Sequence, residues 1–327
     1  MNRATSKDSN MYKNEKYLPL DAMKYPRFCG IATFMRLPHQ KDVSEVDIAI
    51  AGVPFDTGAT NRVGARFGPE GIRQHSRLLR YYNPAQKVHL FNHITALDYG
   101  DFSIMPGYIY DSFDMITEQA YELFKQDIIP VFMGGGHEVS YPLLRAAYQK
   151  HGEVALIHFD AHTDLWEGYF GGKDMNGTPF RRAYEQNLLD VAHSIQVGIR
   201  GPLYDEEDYT ISEKLGFQMI DGPALHEMGM KACIAAIQKR VGNKKAYVTF
   251  DIDFLDPVFA PGTGTPEVGG FTGYEALQLI RGLKGLDIIG FDLVEVNPAY
   301  DHAGVTCGMA ANIIYEFMSL VALRNKG

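Results

Sequence analysis

VALIHFDAHTD, residues 154–164, is the stretch from which the rest of the chain is read. Its first part, Val154-Ala155-Leu156-Ile157, is a short unbroken apolar run of the kind that fills a strand buried on both faces. Its second part sets Asp160, His162 and Asp164 at every second position. In extended backbone, residues i, i+2 and i+4 face one way, so two carboxylates and an imidazole converge just beyond a buried strand. Capping alone does not call for that combination.

Similar apolar runs predict strands over residues 46–53, 94–97, 128–133, 194–197, 218–220, 246–250 and 287–294. Helical patterns over residues 69–79, 112–125, 140–150, 179–188, 224–241, 272–283 and 308–324 fill most of the intervals. Near-continuous apolar strands alternating with helices imply an α/β fold with a mostly parallel sheet covered on both faces. Residues 1–15 read as a flexible polar tail and residues 16–327 as a single domain, because no repeat, low-complexity run or Pro/Ser-rich linker divides them.

Hydrophobic residues make up 46% of the 327, enough for a sizeable core. The net charge of −9, with no basic stretch to offset it, argues against nucleic acid as a partner. Cys29, Cys233 and Cys307 are scattered and odd in number, which fits a reducing cytoplasm better than a disulfide framework. No signal peptide is evident, and no unbroken apolar run reaches the ~18 residues of a membrane span. A cytoplasmic protein without a membrane partner is expected.

In parallel sheets, ligands bind beyond the carboxyl ends of the strands. Two further ends carry chemistry. After residues 128–133 comes GGGHE (134–138), whose glycines let the backbone turn and leave His137 just past the strand. After residues 246–250, Asp251 and Asp253 share a face. Each motif alone is weak: a single loop histidine is usually satisfied structurally, and D-I-D often caps a strand. GGGHE lacks the Lys-Ser/Thr of a phosphate loop, and Tyr141 stands where a zincin helix would place histidine. Together, four aspartates and two histidines at three strand ends make a metal centre. Four unpaired buried carboxylates would repel one another and rise in pKa, whereas two divalent cations balance them. This donor set suits Mn²⁺ best and also admits Mg²⁺, Co²⁺, Ni²⁺ or Zn²⁺. Two such ions about 3.5–4 Å apart can share a bridging hydroxide, a nucleophile at neutral pH.

With GGGHE, HFDAHTD, FDIDFLDPVFAPGTGTPEVGG (250–270) and GFDLVEVNPAYD (290–301), the chain resembles the ureohydrolases: arginases, agmatinases and guanidino-acid hydrolases. The likeness runs from about Pro26 to near the C-terminus. It implies a three-layer α/β/α fold, a binuclear manganese site, and hydrolysis of a guanidino group to urea and an amine. It further implies that His137, Asp160, Asp164 and Asp251 hold one ion and that Asp160, His162, Asp251 and Asp253 hold the other. Glu295, after the strand over 287–294, would pair with the guanidinium fork. Asp164 would pass a proton toward the leaving amine. His158, Asp256, Pro257 and Asp292 read as structural. The family commonly forms trimers and hexamers, and residues 17–38 are the expected assembly arm.

One position departs from the pattern. Relatives carry a histidine in H-G-T after this loop, where the present chain has Asn176. Three readings stay open: a natural enzyme that binds substrate here and shuttles protons through water, an engineered change, or a weakened or silent metal-binding partner subunit. The loop over residues 165–178 is expected to line the entrance. It offers both signs, Glu167 and Asp174 against Lys173, with Trp166, Tyr169 and Phe170 as an apolar wall. Agmatine or a guanidino acid such as 4-guanidinobutyrate is the expected substrate, with guanidine or an alkylguanidine as the alternative.

Overall fold

The computed structural model describes residues 11–327. Its strands are β1 (Ile48–Val53), β2 (Tyr82–Asn83), β3 (Val88–His89), β4 (Ala96–Asp101), β5 (Ile129–Gly134), β6 (Ala155–Phe159), β7 (Ile195–Ile199), β8 (Gln218–Asp221), β9 (Lys245–Asp251) and β10 (Asp287–Val294). Eight of them form one sheet in the order β4-β1-β5-β10-β9-β6-β7-β8, while β2 and β3 make a small separate hairpin. Every pairing in the large sheet is parallel. The antiparallel hairpin is too short to carry a hydrophobic period, so no pattern announced it.

The helices are α1 (Gly68–His75), α2 (Ile109–Phe124), α3 (Ser140–His151), α4 (Pro179–Glu185), α5 (Glu206–Lys214), α6 (Gly222–Val241), α7 (Gly273–Gly282) and α8 (Val305–Lys326). They form two layers. Ile48 and Ile50 of β1 face a core shared with α1, α6, α7 and α8, whereas Ala49, Ala51 and Val53 face one shared with α2, α3 and α4. This alternation is the strand period at work, and both faces are covered. The three-layer arrangement follows.

Some boundaries differ from expectation. The helix expected over 69–79 ends at His75 and tightens into a 3₁₀ turn, Ser76–Leu78. That over 179–188 stops at Glu185, and Asn187 turns left-handed at φ 55°. Helix α5 was not expected, since EEDYTISEK shows no apolar stripe. Its start is fixed instead by a capping box between Asp205 and Asp208. Helix α8 is long and apolar enough by length and composition to cross a membrane, but 78% of its most apolar window is buried inside the protein.

Of the expected tail, residues 1–10 lie outside the described residues. Lys13 is held to the body: its backbone N–H donates to Phe91 O at 2.9 Å and its Nζ meets Asp47 Oδ1 at 2.6 Å. Within the expected arm, Tyr17 is buried while Met23, Phe28 and Ile31 lie almost fully exposed.

The chain lays down β5 and then crosses to β6, three places along the sheet. Strands β9 and β10 later fill the gap. The carboxyl ends of four adjacent strands, β5, β10, β9 and β6, therefore meet in the middle of one edge.

Candidate metal centre and active site

All six expected ligating residues sit at that edge. His137 begins a 3₁₀ turn after β5, Asp160, His162 and Asp164 follow β6, and Asp251 ends β9 with Asp253 in the turn beyond. His137 Nδ1 lies 3.1 Å from Asp160 Oδ2, 2.8 Å from Asp164 Oδ2 and 3.2 Å from Asp251 Oδ2. His162 Nδ1 lies 3.4 Å from Asp160 Oδ1 and 3.1 Å from Asp253 Oδ2. Asp160 thus faces both imidazoles, one with each oxygen. All but His162 are almost wholly buried.

The tautomer of His137 tests whether metal fits. Thr249 Oγ1 donates to Asp292 Oδ1 at 2.6 Å, so toward His137 Nε2, at 2.9 Å, it acts as acceptor. In the neutral ring the proton is therefore on Nε2, which leaves Nδ1 as a lone pair open to a cation. That lone pair faces three carboxylate oxygens in a buried space. Such a grouping of electron pairs is repulsive unless a cation stands among them, and imidazole backed by a carboxylate relay is the usual arrangement around a bound ion. The residues fit a metal.

Electrostatics of the ion-free cluster lead to the same place. Burial, reinforced by Asp160, pushes Asp164 up to about 6. Burial, with Asp253 and Asp160, holds Asp251 well above the usual carboxylate range. Burial and Asp160 also raise Asp253. Burial would raise Asp160 too, but His158, His137 and His162 outweigh it and hold it well below its ordinary value. Burial alone would lower His137, yet Asp164, Asp160 and Asp251 raise it well above.

His158 is close enough to His137 and Asp160 to share an ion with them, all three offering atoms within 4.8 Å of one another. Its hydrogen bonds give it another job. Gln196 Nε2 donates to His158 Nδ1 at 2.9 Å, which leaves Nε2–H to donate to Asp160 Oδ2 at 2.7 Å. A ring with both nitrogens so engaged orients Asp160, and burial lowers its pKa to about 4. Asp292 is the hub behind the site, accepting from Thr249, from Ser140 at 2.9 Å and from Tyr247 at 2.8 Å. Asp256 caps its turn, accepting from the N–H groups of Val258, Gly269 and Gly270.

Glu295 lies just past β10 and is 2% exposed. Its Oε1 accepts from the backbone N–H of His137 at 2.8 Å. Burial and the neighbouring Glu138 raise its pKa to about 8. Asp164 and Glu295 both adopt left-handed backbone, at φ 52° and 63°. Non-glycine residues are strained there, and such strain gathers at working sites.

Asn176 is buried at the edge of the cleft above His162 and Asp164. Its N–H donates to Gly58 O at 3.0 Å, and its Oδ1 has no partner. Trp166 and Tyr169 line the same cleft, whereas Phe170 points outward at 83% exposure. The charged residues of the loop lie elsewhere. Glu167 pairs with Arg181, and Lys173 and Asp174 line a different hollow beside Arg182.

Three participants escaped the sequence reading. Thr249 is two residues before Asp251 on β9 and so shares its face, a signal that was there to use. Glu138, fully buried, accepts from the N–H of Gly58 at 2.7 Å and is pushed up to about 7 by burial. Glu267 approaches His162 Nε2 at 3.8 Å. The last two contacts join distant parts of the chain and leave no local pattern.

The chain belongs to the arginase family, whose model matches residues 46–319. It is 41% identical to the guanidinobutyrase of Pseudomonas aeruginosa, over 96% of this chain and 98% of that one. It is also 41% identical to the guanidinopropionase of the same organism, over 94% and 97% respectively. Among solved structures, a hypothetical agmatinase from Burkholderia thailandensis superposes with a TM-score of 0.88 at 37% identity, covering 98% of each chain.

Proposed function

We propose that this protein is a binuclear manganese hydrolase that cleaves a guanidino compound to urea and an amine. The bare Nδ1 of His137, facing three carboxylates, carries the reading. His137, Asp160, Asp164 and Asp251 would hold one ion and Asp160, His162, Asp251 and Asp253 the other. The likeness to a guanidinobutyrase and a guanidinopropionase supports the reaction class.

When bound, two such ions lower the pKa of water and supply the nucleophile. The chain's own residues do the rest. Glu295 Oε2 is free while Oε1 is held by His137, so one face of a guanidinium finds a fixed anionic acceptor. Binding the cation there returns Glu295 to its ionised form. Attack of water forms a C–O bond at the guanidinium carbon and breaks one C–N bond. Asp164, which lines the cleft with its Oδ2 2.8 Å from His137 Nδ1, would take a proton and deliver it to the departing nitrogen. Asn176 cannot titrate near neutral pH, so at its position it serves as a hydrogen-bond acceptor. The exposed apolar residues Met23, Phe28 and Ile31 support assembly into a trimer or hexamer through this arm.

The test is urea release by the purified chain from guanidine, alkylguanidines, agmatine and 4-guanidinobutyrate, with Mn²⁺ and then Ni²⁺. Release from one or more members is the expected result. A chain that binds two metals and releases no urea from any of them is a non-catalytic partner subunit.

A further inference from the structure

The cleft that leads to the ligand cluster has a volume of about 170 Å³. Its outer wall is aromatic. Trp166 meets Tyr169 with ring centroids 5.5 Å apart and meets Tyr204 edge-on at 5.7 Å. Tyr204 is 89% exposed at the mouth, so this ring is not there to fill a core. Among the described residues one Lys or Arg lines the cleft, Arg200, and it is spent on backbone. Its Nε donates to Val268 O, its Nη1 to Gly198 O and Phe254 O, and its Nη2 to Asp253 O, Leu255 O and Glu267 O. With every nitrogen engaged, it offers nothing to a ligand.

Other basic groups lie outside the cleft lining: Arg66 pairs with Asp56, Arg181 pairs with Glu167 and Glu185, and Arg62 lies over the Tyr300 ring. A substrate with a carboxylate tail would have to desolvate that carboxylate against aromatic rings and the Glu267 carboxylate, which carries a real penalty. An ammonium tail would find Glu267, which already faces His162 Nε2, and would have to give up tightly held water to reach the ring faces. A short uncharged tail loses little water and gains ring contact. Alkyl groups on a delocalised guanidinium carry part of its positive charge, which the ring faces of Trp and Tyr attract.

From these observations, and resting on the proposed guanidino hydrolysis, we infer that the wall of Trp166, Tyr169 and Tyr204 selects guanidines bearing a short, uncharged N-alkyl substituent. The reaction then yields urea and a simple alkylamine. This preference departs from what the names of the 41% identical relatives would bring.

Trp166 is the sole tryptophan of the chain, so its emission reports occupancy of the cleft directly. The Mn²⁺-loaded protein is titrated with propylguanidine, agmatine and 4-guanidinobutyrate while Trp166 emission is followed. In parallel, kcat and KM for urea release are measured on the same three. Propylguanidine is expected to bind at least ~10-fold more tightly than 4-guanidinobutyrate, with a kcat/KM higher by a similar factor. In Trp166→Ala, the KM for propylguanidine should rise ~10-fold, and Trp166→Phe should restore most of it. Tighter binding or faster turnover of agmatine or 4-guanidinobutyrate overturns the inference. If no compound releases urea, the reaction class falls, while the order of binding seen in the emission still decides whether the wall reads an uncharged tail.

Discussion

Replacing Glu295 with glutamine should make the metal-free protein more stable at neutral pH while weakening its hold on guanidinium. The side chain is buried, and burial with Glu138 raises its pKa from 4.5 to about 8. An acid whose folded pKa lies above its unfolded value stabilises the fold fully below the unfolded value and loses that contribution as pH rises toward the folded one. Here the loss runs from about pH 4.5 to pH 8. Each pH unit inside the window is worth up to ~1.4 kcal/mol, so from pH 5 to pH 7.5 the group forfeits roughly 3 kcal/mol. Glutamine keeps the shape and can still accept from the His137 N–H, but it has no proton to lose. With an unfolding entropy of ~2.1 cal/mol/K per residue, 3 kcal/mol corresponds to about 4 °C in Tm for a chain of this length. Thermal unfolding of chelator-treated wild type and Glu295→Gln should therefore give similar Tm values at pH 4.5 and a gap of about 4 °C in favour of the variant at pH 7.5. With metal restored, guanidinium binding should weaken ~10- to 100-fold, the worth of a charge-assisted hydrogen bond of roughly 1.5–3 kcal/mol, with metal content unchanged. A variant less stable than wild type at pH 7.5, or a gap equal at both pH values, would refute the assignment of Glu295 as a buried, otherwise unneutralised carboxylate.

Asp251→Asn keeps the acceptor for the Asp253 N–H, at 2.8 Å in the wild type, and removes a shared charge; elemental analysis should show both metals lost. Thr249→Val removes the group that fixes the His137 tautomer. Metal affinity should fall ~10- to 100-fold by competition with a chromophoric chelator, with the fold intact by circular dichroism. Asn176→His should raise urea release at least ~10-fold on the best substrate, the low end of what a positioned acid–base group contributes, with metal content unchanged. A uniform drop over the whole substrate panel would mean instead that the amide makes a contact of its own.

The features legible in the sequence were those with a short period. Val154–Ile157 and its counterparts announced buried parallel strands, and the two-residue spacing of Asp160, His162 and Asp164 announced a cluster. Long-range contacts were not legible. Asp292 gathers hydroxyls from Ser140, Tyr247 and Thr249, residues on two other elements that meet only after the sheet has formed. The Glu138–Gly58 contact spans 80 positions, and the six bonds that commit Arg200 go to carbonyls, which every residue possesses. Helix α5 escaped because its stop and start are set by caps rather than by an apolar stripe.

Because the ligating side chains follow β5, β9 and β6, with Glu295 after β10 between them, ions bound there would act as a rivet through the central half of the sheet. The flanking pairs, β4 with β1 on one side and β7 with β8 on the other, carry no rivet. Local opening should be cheapest at those margins and should leave the centre closed. Damage far from the centre could then loosen the outer strands without spilling the metals, whereas losing the metals would free the middle of the molecule first and remove the reason its margins hold together.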